Sequence, residues 1–382
     1  MKFSDREIYS EEKLILSVEL EAGKIKVVDS SVDSGFGIRV SDGKKMGFGF
    51  ANTKAKAEEL AGKSMVRRFY GFPAQGQKGR EVFHEVPMDP EVLVARVKEM
   101  AGRMNPATSI TAFSAVIKRS IQNSNGIDFE EKQSWIGYSA YTASGGSEGW
   151  ESWEGREDKQ GKWLEVAEKA QEWSDKWRGA GKQELKGLPV VLSARAASSL
   201  LGQMLLPNIN AERAMHGQTA LQIGGGSGNI KIVNSQKLHT ASFDGEGIAP
   251  KTFTVFDKNL KTFLHSFSTA KEMEAEPTAN AGRDWKSFPV PSPFDLEVLA
   301  KKSDALENYV FVNDLSGVHT VDPTAGRFSV EAHQAFMMPD EEPVQPFIIS
   351  GSLEGLLDSE AVGSPEQRGS FYLPGLKIDV VM

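Results

Sequence analysis

Histidine and acidic side chains are the groups in this 382-residue sequence that can bind a metal or transfer protons, so their spacing is considered first. His84-Glu85 begins like the helix of a zinc protease, in which two histidines one turn apart bind the metal and the glutamate activates water. Met88 and Asp89 stand where the second histidine would fall, and Pro87 interrupts the helix. The other histidines are too widely spread to form a local pair: His216, His239, His265, His319 and His333. The spacing therefore predicts no local metal site.

Three segments that contain glycine match binding or catalytic motifs only in part. Gly62-Lys63-Ser64 resembles the end of a phosphate loop, but Ala57 replaces the leading glycine and the segment falls inside a predicted helix. Residues 145–149 (GGSEG) match a nucleophile elbow formally, but no helix follows, so a flexible loop is predicted. Residues 224–228 (GGGSG) lack the spacing of a dinucleotide fold, which favours a mobile loop that approaches its neighbours closely.

Two acidic residues flank a glycine in the segment Phe243-Asp244-Gly245-Glu246-Gly247. Such a turn between apolar runs can point a carboxylate into a cleft, or it can be the solvent-exposed turn of a hairpin. Taken by itself, the pattern favours the solvated hairpin. Spacing alone therefore identifies no enzyme.

The composition excludes several classes of protein. The 44 basic and 52 acidic residues give a formal net charge of -8 with no basic run, which argues against direct binding of nucleic acid. The absence of cysteine excludes disulfides, thiolate nucleophiles and cysteine-bound metals. No stretch approaches the ~18 apolar residues of a membrane helix. The N-terminal residues carry acids and no apolar signal region, so we expect a cytoplasmic protein with no membrane partner.

The N-terminal half reads as antiparallel strands with packed helices. Residues 13–50 form short apolar or alternating runs, with Asp42-Gly43 as a hairpin turn. Asn52 or Thr53 can cap a helix that runs to about residue 69, and a second helix fits residues 89–104 with Pro90 in its first turn. A further hairpin is predicted around Asn125-Gly126.

A change of composition between residues 144 and 186 indicates a domain boundary near Lys186. This stretch is rich in charge and glycine and holds five tryptophans, of which Trp163, Trp173 and Trp177 have the spacing of a packed helix. Beyond it follow a buried strand, a helix from Ala194 to about residue 206, a second helical stretch at 211–221, and short apolar runs with long loops. We therefore predict an α+β fold: a mixed domain at 1–186 and a β-rich domain with few helices at 187–382.

The order of the C-terminal segments resembles the TldD/PmbA metallopeptidase family, whose PmbA (TldE) branch is also called a modulator of DNA gyrase. The N-terminal residues 30–53 agree more loosely, and the match is weakest between 70 and 186. The segments that carry the resemblance are LPVVLSARAASSLL (188–201), SFDGEGIAPKTFTVF (242–256), FSTAKEM with TANAGR (267–283), VPSPFDLEV (290–298), VNDLSGVHTVDPTAGRFSVEAHQAF (312–336), PVQPFIISGSLEGLL (343–357) and YLPGLKIDVV near the end.

In the TldD branch of this family, a His-Glu-x-x-x-His helix follows the apolar strand, and a later cysteine completes a zinc site. Laid on that motif, Gly202 and Gln203 replace the first histidine and the glutamate, and Pro207 replaces the second histidine. Without these ligands, zinc cannot be held to acidify a water. The resemblance thus implies a PmbA/TldE-like subunit with no cofactor of its own, whose TldD-like partner carries the zinc.

The same resemblance implies a heterodimer with that partner, or a homodimer, that encloses a chamber for an unfolded or short peptide. Peptide capture is expected to use strand addition, which depends on the backbone. We expect the family-like loops to supply residues near the shared cleft: Asp244, Glu246, Asn280, Arg283, Ser316 and His319.

Two other functions remain open at this point. The chain could be an autonomous homodimeric hydrolase whose site is assembled from dispersed residues such as His216, His319 and His333. It could also be a peptide-binding scaffold that uses the glycine-rich 224–228 loop and the tryptophan-rich 150–177 segment as its contact surface.

Overall fold

The computed structural model describes residues 3–237 and 241–382, so His239 lies outside the described residues. The protein is an α+β structure with two large sheets and few helices, which confirms the predicted fold class. One sheet uses residues before Lys186 and the other uses residues after it. The domain boundary at Lys186 stays a prediction.

The N-terminal sheet has seven antiparallel strands in the spatial order β4-β3-β2-β1-β5-β6-β7. Its long central strands pair as two hairpins, and the predicted Asn125-Gly126 lies in the turn of the second. The predicted Asp42-Gly43 lies in the turn that leads from a long strand into a shorter one. In chain order the strands are β1 (Asp5–Glu21), β2 (Lys24–Ser41), β3 (Lys45–Ala51), β4 (Arg67–Arg68), β5 (Ser109–Asn123), β6 (Asp128–Ser144) and β7 (Ser147–Gly155).

Three helices cover one face of this sheet: α1 (Lys54–Lys63), α2 (Pro90–Ala101) and α3 (Lys162–Lys176). Successive side chains of a strand point to opposite faces, so alternate residues of β1 such as Leu16 and Val18 pack with α2 and α3. Asp89 caps α2 by accepting a hydrogen bond from the Glu91 amide. The opposite face of the sheet is left for the C-terminal half.

The C-terminal half forms a mixed eleven-stranded sheet and a small two-stranded sheet made by β12 and β13. Its strands in chain order are β8 (Val190–Leu192), β9 (Lys231–Asn234), β10 (Phe253–Asp257), β11 (Asn259–Leu260), β12 (Ala281–Gly282), β13 (Val290–Pro291), β14 (Leu296–Leu299), β15 (Tyr309–Ser316), β16 (Arg327–Met338), β17 (Glu342–Val344), β18 (Phe347–Ser352), β19 (Glu360–Arg368) and β20 (Phe371–Ile378). Its helices are α4 (Ala194–Asn208), α5 (Ala211–Met215), α6 (Phe267–Glu272) and α7 (Leu353–Leu357), with a 3-10 turn at Val318–Thr320.

Helix α4 is the central helix of the C-terminal half. Ser193 caps it, and the buried side chains of Leu200, Leu201 and Met204 pack against β8, β15 and β20 within one continuous core. In the described ranges, none of the helices is both long and apolar enough to cross a membrane.

Several local predictions differ from the structure. Helix α1 ends at Lys63 rather than near residue 69, and α5 ends at Met215 rather than 221. The 145–149 segment is not a flexible loop: Gly145 and Gly146 make the turn between β6 and β7. The 224–228 loop is held by hydrogen bonds between its backbone and Leu260, so close approach was the correct part of that prediction.

Replacing Gly49 by alanine tests how closely β3 packs on α1. The new methyl carbon would lie 2.2 Å from the Ala61 nitrogen and 2.4 Å from the Ala57 oxygen, so the helix would have to move. We expect Gly49→Ala to lower the free energy of unfolding by about 1–3 kcal/mol in urea titrations. Gly76→Ala, whose methyl group meets no atom within 4 Å, is the matched control, and equal losses in both variants would contradict the packing argument.

Candidate functional site

The face of the N-terminal sheet that the helices leave free carries a row of charged residues. Strand register places Glu7 of β1 directly opposite Arg39 of β2, and Arg119 of β5 directly opposite Glu131 of β6. Segments of the C-terminal half cover these residues, and the side chains of Tyr9 and Phe243 pack together at the contact. Charged groups from both halves are therefore buried at one interface.

An ion network of four side chains joins the two halves. Arg39 donates from Nε to Glu7 Oε1 at 2.8 Å and from Nη1 to Glu246 Oε1 at 2.9 Å. Arg283 donates from Nη1 to the same Glu7 oxygen at 2.7 Å. Each of these side chains is at most 1% exposed. We call this set, Glu7, Arg39, Glu246 and Arg283, the interface network.

The interface network favours the charged form of Glu7. Burial opposes ionisation of Glu7, but the guanidinium groups of Arg39 and Arg283 outweigh it and lower the pKa of Glu7. Glu246 also accepts a hydrogen bond from the Phe267 amide at 2.6 Å. Pairing of this kind is what makes a buried carboxylate tolerable.

Asp244 lies beside the network but has a different role. Its carboxylate accepts hydrogen bonds from the amides of Glu246, Ile248 and Ala281, which fixes the turn onto strand β12. Burial and the nearby Glu246 carboxylate raise the pKa of Asp244 to about 7. The prediction of a solvated hairpin at residues 243–247 is therefore wrong, because both acids are buried and bonded.

The predicted cleft residues divide into two groups in the structure. Asp244, Glu246 and the side chain of Arg283 lie together at the buried interface. Asn280 is buried next to them on the chain and donates to Asn234 Oδ1 at 3.0 Å. Ser316 and His319 are exposed, at the end of β15 and in the turn that follows.

A cleft of about 620 Å³ lies farther along the same sheet face, between β5–β7 and helix α4. Aromatic side chains and hydroxyl groups make up most of its lining, and two arginines lie in its wall. We call it the α4 cleft. Residues that line it include Phe113, Ser139, Trp150, Trp153, Arg195, Ser198, Ser199, Leu206, Asp314, Arg368 and Phe371.

Glu151 forms ion pairs with both arginines in the wall of this cleft. Its carboxylate lies 2.5 Å from Arg195 Nη2 and 2.7 Å from Arg368 Nη1. Burial opposes its ionisation, but the two arginines prevail and lower its pKa. The Nε of Arg195 is buried without a hydrogen-bond partner in the part of the chain that is described.

Side chains of the C-terminal half also close the free edge of β7. Arg195 donates to the Trp150 carbonyl at 2.6 Å and Arg368 to the Ser152 carbonyl at 3.2 Å. Gln334 donates to the Glu148 carbonyl at 2.5 Å. Three successive outward carbonyls of this edge strand are thus occupied, so β7 does not offer them to an added strand.

The residues predicted to replace the family's metal motif lie on α4. Gly202 is one turn from Ser198 and from Leu206, on the helix face that borders the cleft, and a methyl group on it would meet no atom within 4 Å. Gly202 and Pro207 carry no donor side chain, and Gln203 offers only a neutral amide. These residues do not fit a zinc ion.

The dispersed histidines do not assemble into a metal site either. Residues 3–237 and 241–382 contain no group of three or more His, Asp or Glu side chains placed to hold a metal. His333 hydrogen bonds to Glu148 and packs on the Trp177 ring at 4.7 Å, whereas His216 and His319 lie in exposed turns.

Arg195, Glu151 and Arg368 belong to no motif recognised in the sequence, and the tryptophans match their predicted helix packing only in part. Trp163 and Trp177 are buried, as the helix spacing predicted. Trp150 borders the α4 cleft instead, and Arg195 stacks on its ring at 4.7 Å. The alternation of acids and tryptophans in residues 148–154 was the available signal.

Comparison with known proteins gives consistent matches along the chain. Models of the PmbA/TldA metallopeptidase family match residues 186–382, as the C-terminal domain, and residues 7–67, as domain 1. An uncharacterized protein of Methanocaldococcus jannaschii is 26% identical, and the alignment covers 98% of this chain and 97% of that protein.

Two solved structures share the fold over nearly the whole chain. TldE from Thermococcus kodakarensis superposes with a TM-score of 0.87 at 19% identity, covering 99% of this chain and 96% of its own. A Thermotoga maritima protein described as a modulator of a DNA gyrase gives 0.85 at 20% identity, covering 98% and 95%. At these identities the structures establish a common fold.

The interface network predicts a large cost for losing its central arginine. Arg39→Met leaves two buried carboxylates with fewer partners, so we expect the free energy of unfolding in urea to fall by about 3–5 kcal/mol. Lys56→Met breaks an exposed pair with Glu59 and should leave it unchanged within experimental error. Similar unfolding midpoints for the two variants would show that the network contributes little.

Proposed function

Since the chain belongs to the PmbA/TldD metallopeptidase family, we propose that it is the metal-free, PmbA/TldE-type subunit of a two-subunit zinc protease. In this proposal a TldD-like partner carries the zinc, and this chain helps to form the chamber that holds an unfolded or short peptide.

The observation that carries the proposal is the set of residues on α4. The helix follows the apolar strand β8, where the TldD branch has its metal-binding helix. Gly202, Gln203 and Pro207 supply neither imidazole nor a general-base carboxylate, and the chain has no cysteine to act as a third ligand. A hydrolytic water therefore has to be activated by groups of another subunit.

The α4 cleft supports a role in holding substrate. Trp150 and Phe113 offer flat apolar surface, and Ser198 and Ser199 offer hydroxyl groups that can donate or accept. Such a lining tolerates many side chains, as a site for unfolded peptides must. Because the outward carbonyls of β7 are occupied, the peptide would contact these side chains rather than extend that strand.

Reconstitution tests whether zinc binding and peptide cleavage require the second subunit. The chain is purified alone and after mixing with a TldD-like protein from the same genome, and both samples are assayed for bound zinc and for cleavage of casein. We expect about one zinc per heterodimer and cleavage only in the mixture. Stoichiometric zinc and cleavage by the chain alone would overturn the proposal in favour of an autonomous hydrolase. A mixture that never forms a complex would favour a scaffold.

Blocking the α4 cleft tests its part in substrate binding. Ser199→Trp fills space beside Trp150 and Leu206, so the complex should show a KM for an unfolded peptide raised by about tenfold, with zinc content unchanged. Lys63→Trp, on an exposed side chain of α1, is the matched control. Equal KM values for the two variants would show that the α4 cleft does not take part in substrate binding.

A further inference from the structure

One edge of the N-terminal sheet is open along the first half of β2. Strand β3 pairs with β2 only from Phe36 to Ser41, so residues 24–35 are paired on one side, with β1. Among the hydrogen bonds of the described residues, none from outside β1 reaches the backbone of residues 24–33. This edge differs from that of β7, whose carbonyls are occupied by side chains. Unprotected edges of this length are templates for pairing with another chain.

The open edge also carries exposed apolar side chains. Val28 and Val32 are 49% and 65% exposed. They lie opposite Val18 and Leu14 of β1, on the sheet face that the helices cover elsewhere. Helix α2 does not extend over β2 far enough to bury them. The apolar face of the sheet therefore continues past its helical cover to the open edge.

We propose that a second copy of this chain covers this edge by antiparallel pairing of two β2 strands. The two-fold axis that relates adjacent antiparallel strands is parallel to the sheet normal, so each side chain stays on its own face. Side chains alternate between the two faces along a strand. Two residues that lie directly opposite each other must therefore both be even-numbered or both be odd-numbered. This condition limits the possible registers to a few.

Charge and the positions of the exposed valines together distinguish among these registers. An axis at Asp29 places the two copies of Asp29 opposite each other, and an axis at Ser31 places Asp29 opposite Asp33, and both arrangements oppose like charges. Axes at Val28, Ser30 and Val32 avoid such pairs, and of these only the axis at Ser30 pairs Val28 of one copy with Val32 of the other, twice. The four valines then form one apolar cluster on the face where they are exposed, and the two sheets become continuous.

The absence of cysteine from the chain allows a direct test of this register with the chain alone. Ser30→Cys places two thiols directly opposite each other, and it should form a covalent dimer on oxidation or with a short bismaleimide. Val32→Cys is the matched control, since the two thiols lie four residues apart along the strand, roughly 13 Å. A mixture of Val28→Cys and Val32→Cys chains should cross-link, although neither variant does so alone.

Sedimentation velocity provides a second readout that needs no cysteine. The unmodified chain should sediment as a dimer, and Val32→Lys should shift it to the monomer because the lysine would disrupt the valine cluster. Val66→Lys, at a valine that is 80% exposed elsewhere, should leave the dimer intact. A monomeric unmodified chain, or equal cross-linking of the Ser30 and Val32 variants, would overturn the proposal. Neither result depends on the presence of a protease partner.

Discussion

The burial of Glu7, Arg39, Glu246 and Arg283 at one interface is the constraint on which the rest of the structure depends. An unpaired buried charge costs several kcal/mol, so each member is tolerated only while the others are in place. The four come from β1, β2, the turn before β10 and the end of β12. The network therefore favours the docking seen here, in which α4 lies over β5–β7.

The two edges of the N-terminal sheet differ in whether their outward backbone groups are hydrogen bonded. At β7, arginine and glutamine side chains occupy the outward carbonyls, while the neighbouring cleft remains open and is lined by aromatic rings and hydroxyl groups. At β2, no side chain from outside the β1–β2 pair reaches the backbone of residues 24–33 in the part of the chain described, and valines are exposed. A closed edge beside a cleft suits a wall that shapes a ligand site, and an open apolar edge suits contact with another chain.

Local features were predictable from sequence because they depend on neighbouring residues. The turns at Asp42-Gly43 and Asn125-Gly126 and the start of α2 at Pro90 follow from the backbone preferences of those residues. The interface network was not predictable, because its hydrogen bonds join residues 207 and 276 positions apart. The acidic turn at residues 243–247 was misread for the same reason, since the arginine that neutralises Glu246 lies in another part of the chain. Residue spacing alone did not indicate where a metal motif would lie. The resemblance to a family identified the positions on α4 to compare with that motif.

The same long separation has a consequence for biosynthesis. Glu7 and Arg39 leave the ribosome early, but Glu246 and Arg283 follow only after some 200 further residues, on the order of ten seconds or more at typical elongation rates. During that interval the helix-covered face of the first sheet can already pack, whereas its charged face has only water as a partner. The nascent N-terminal half therefore keeps one uncovered surface until nearly three quarters of the polypeptide has been made. Vectorial synthesis thus leaves time for the helical layer to form before the two halves can join.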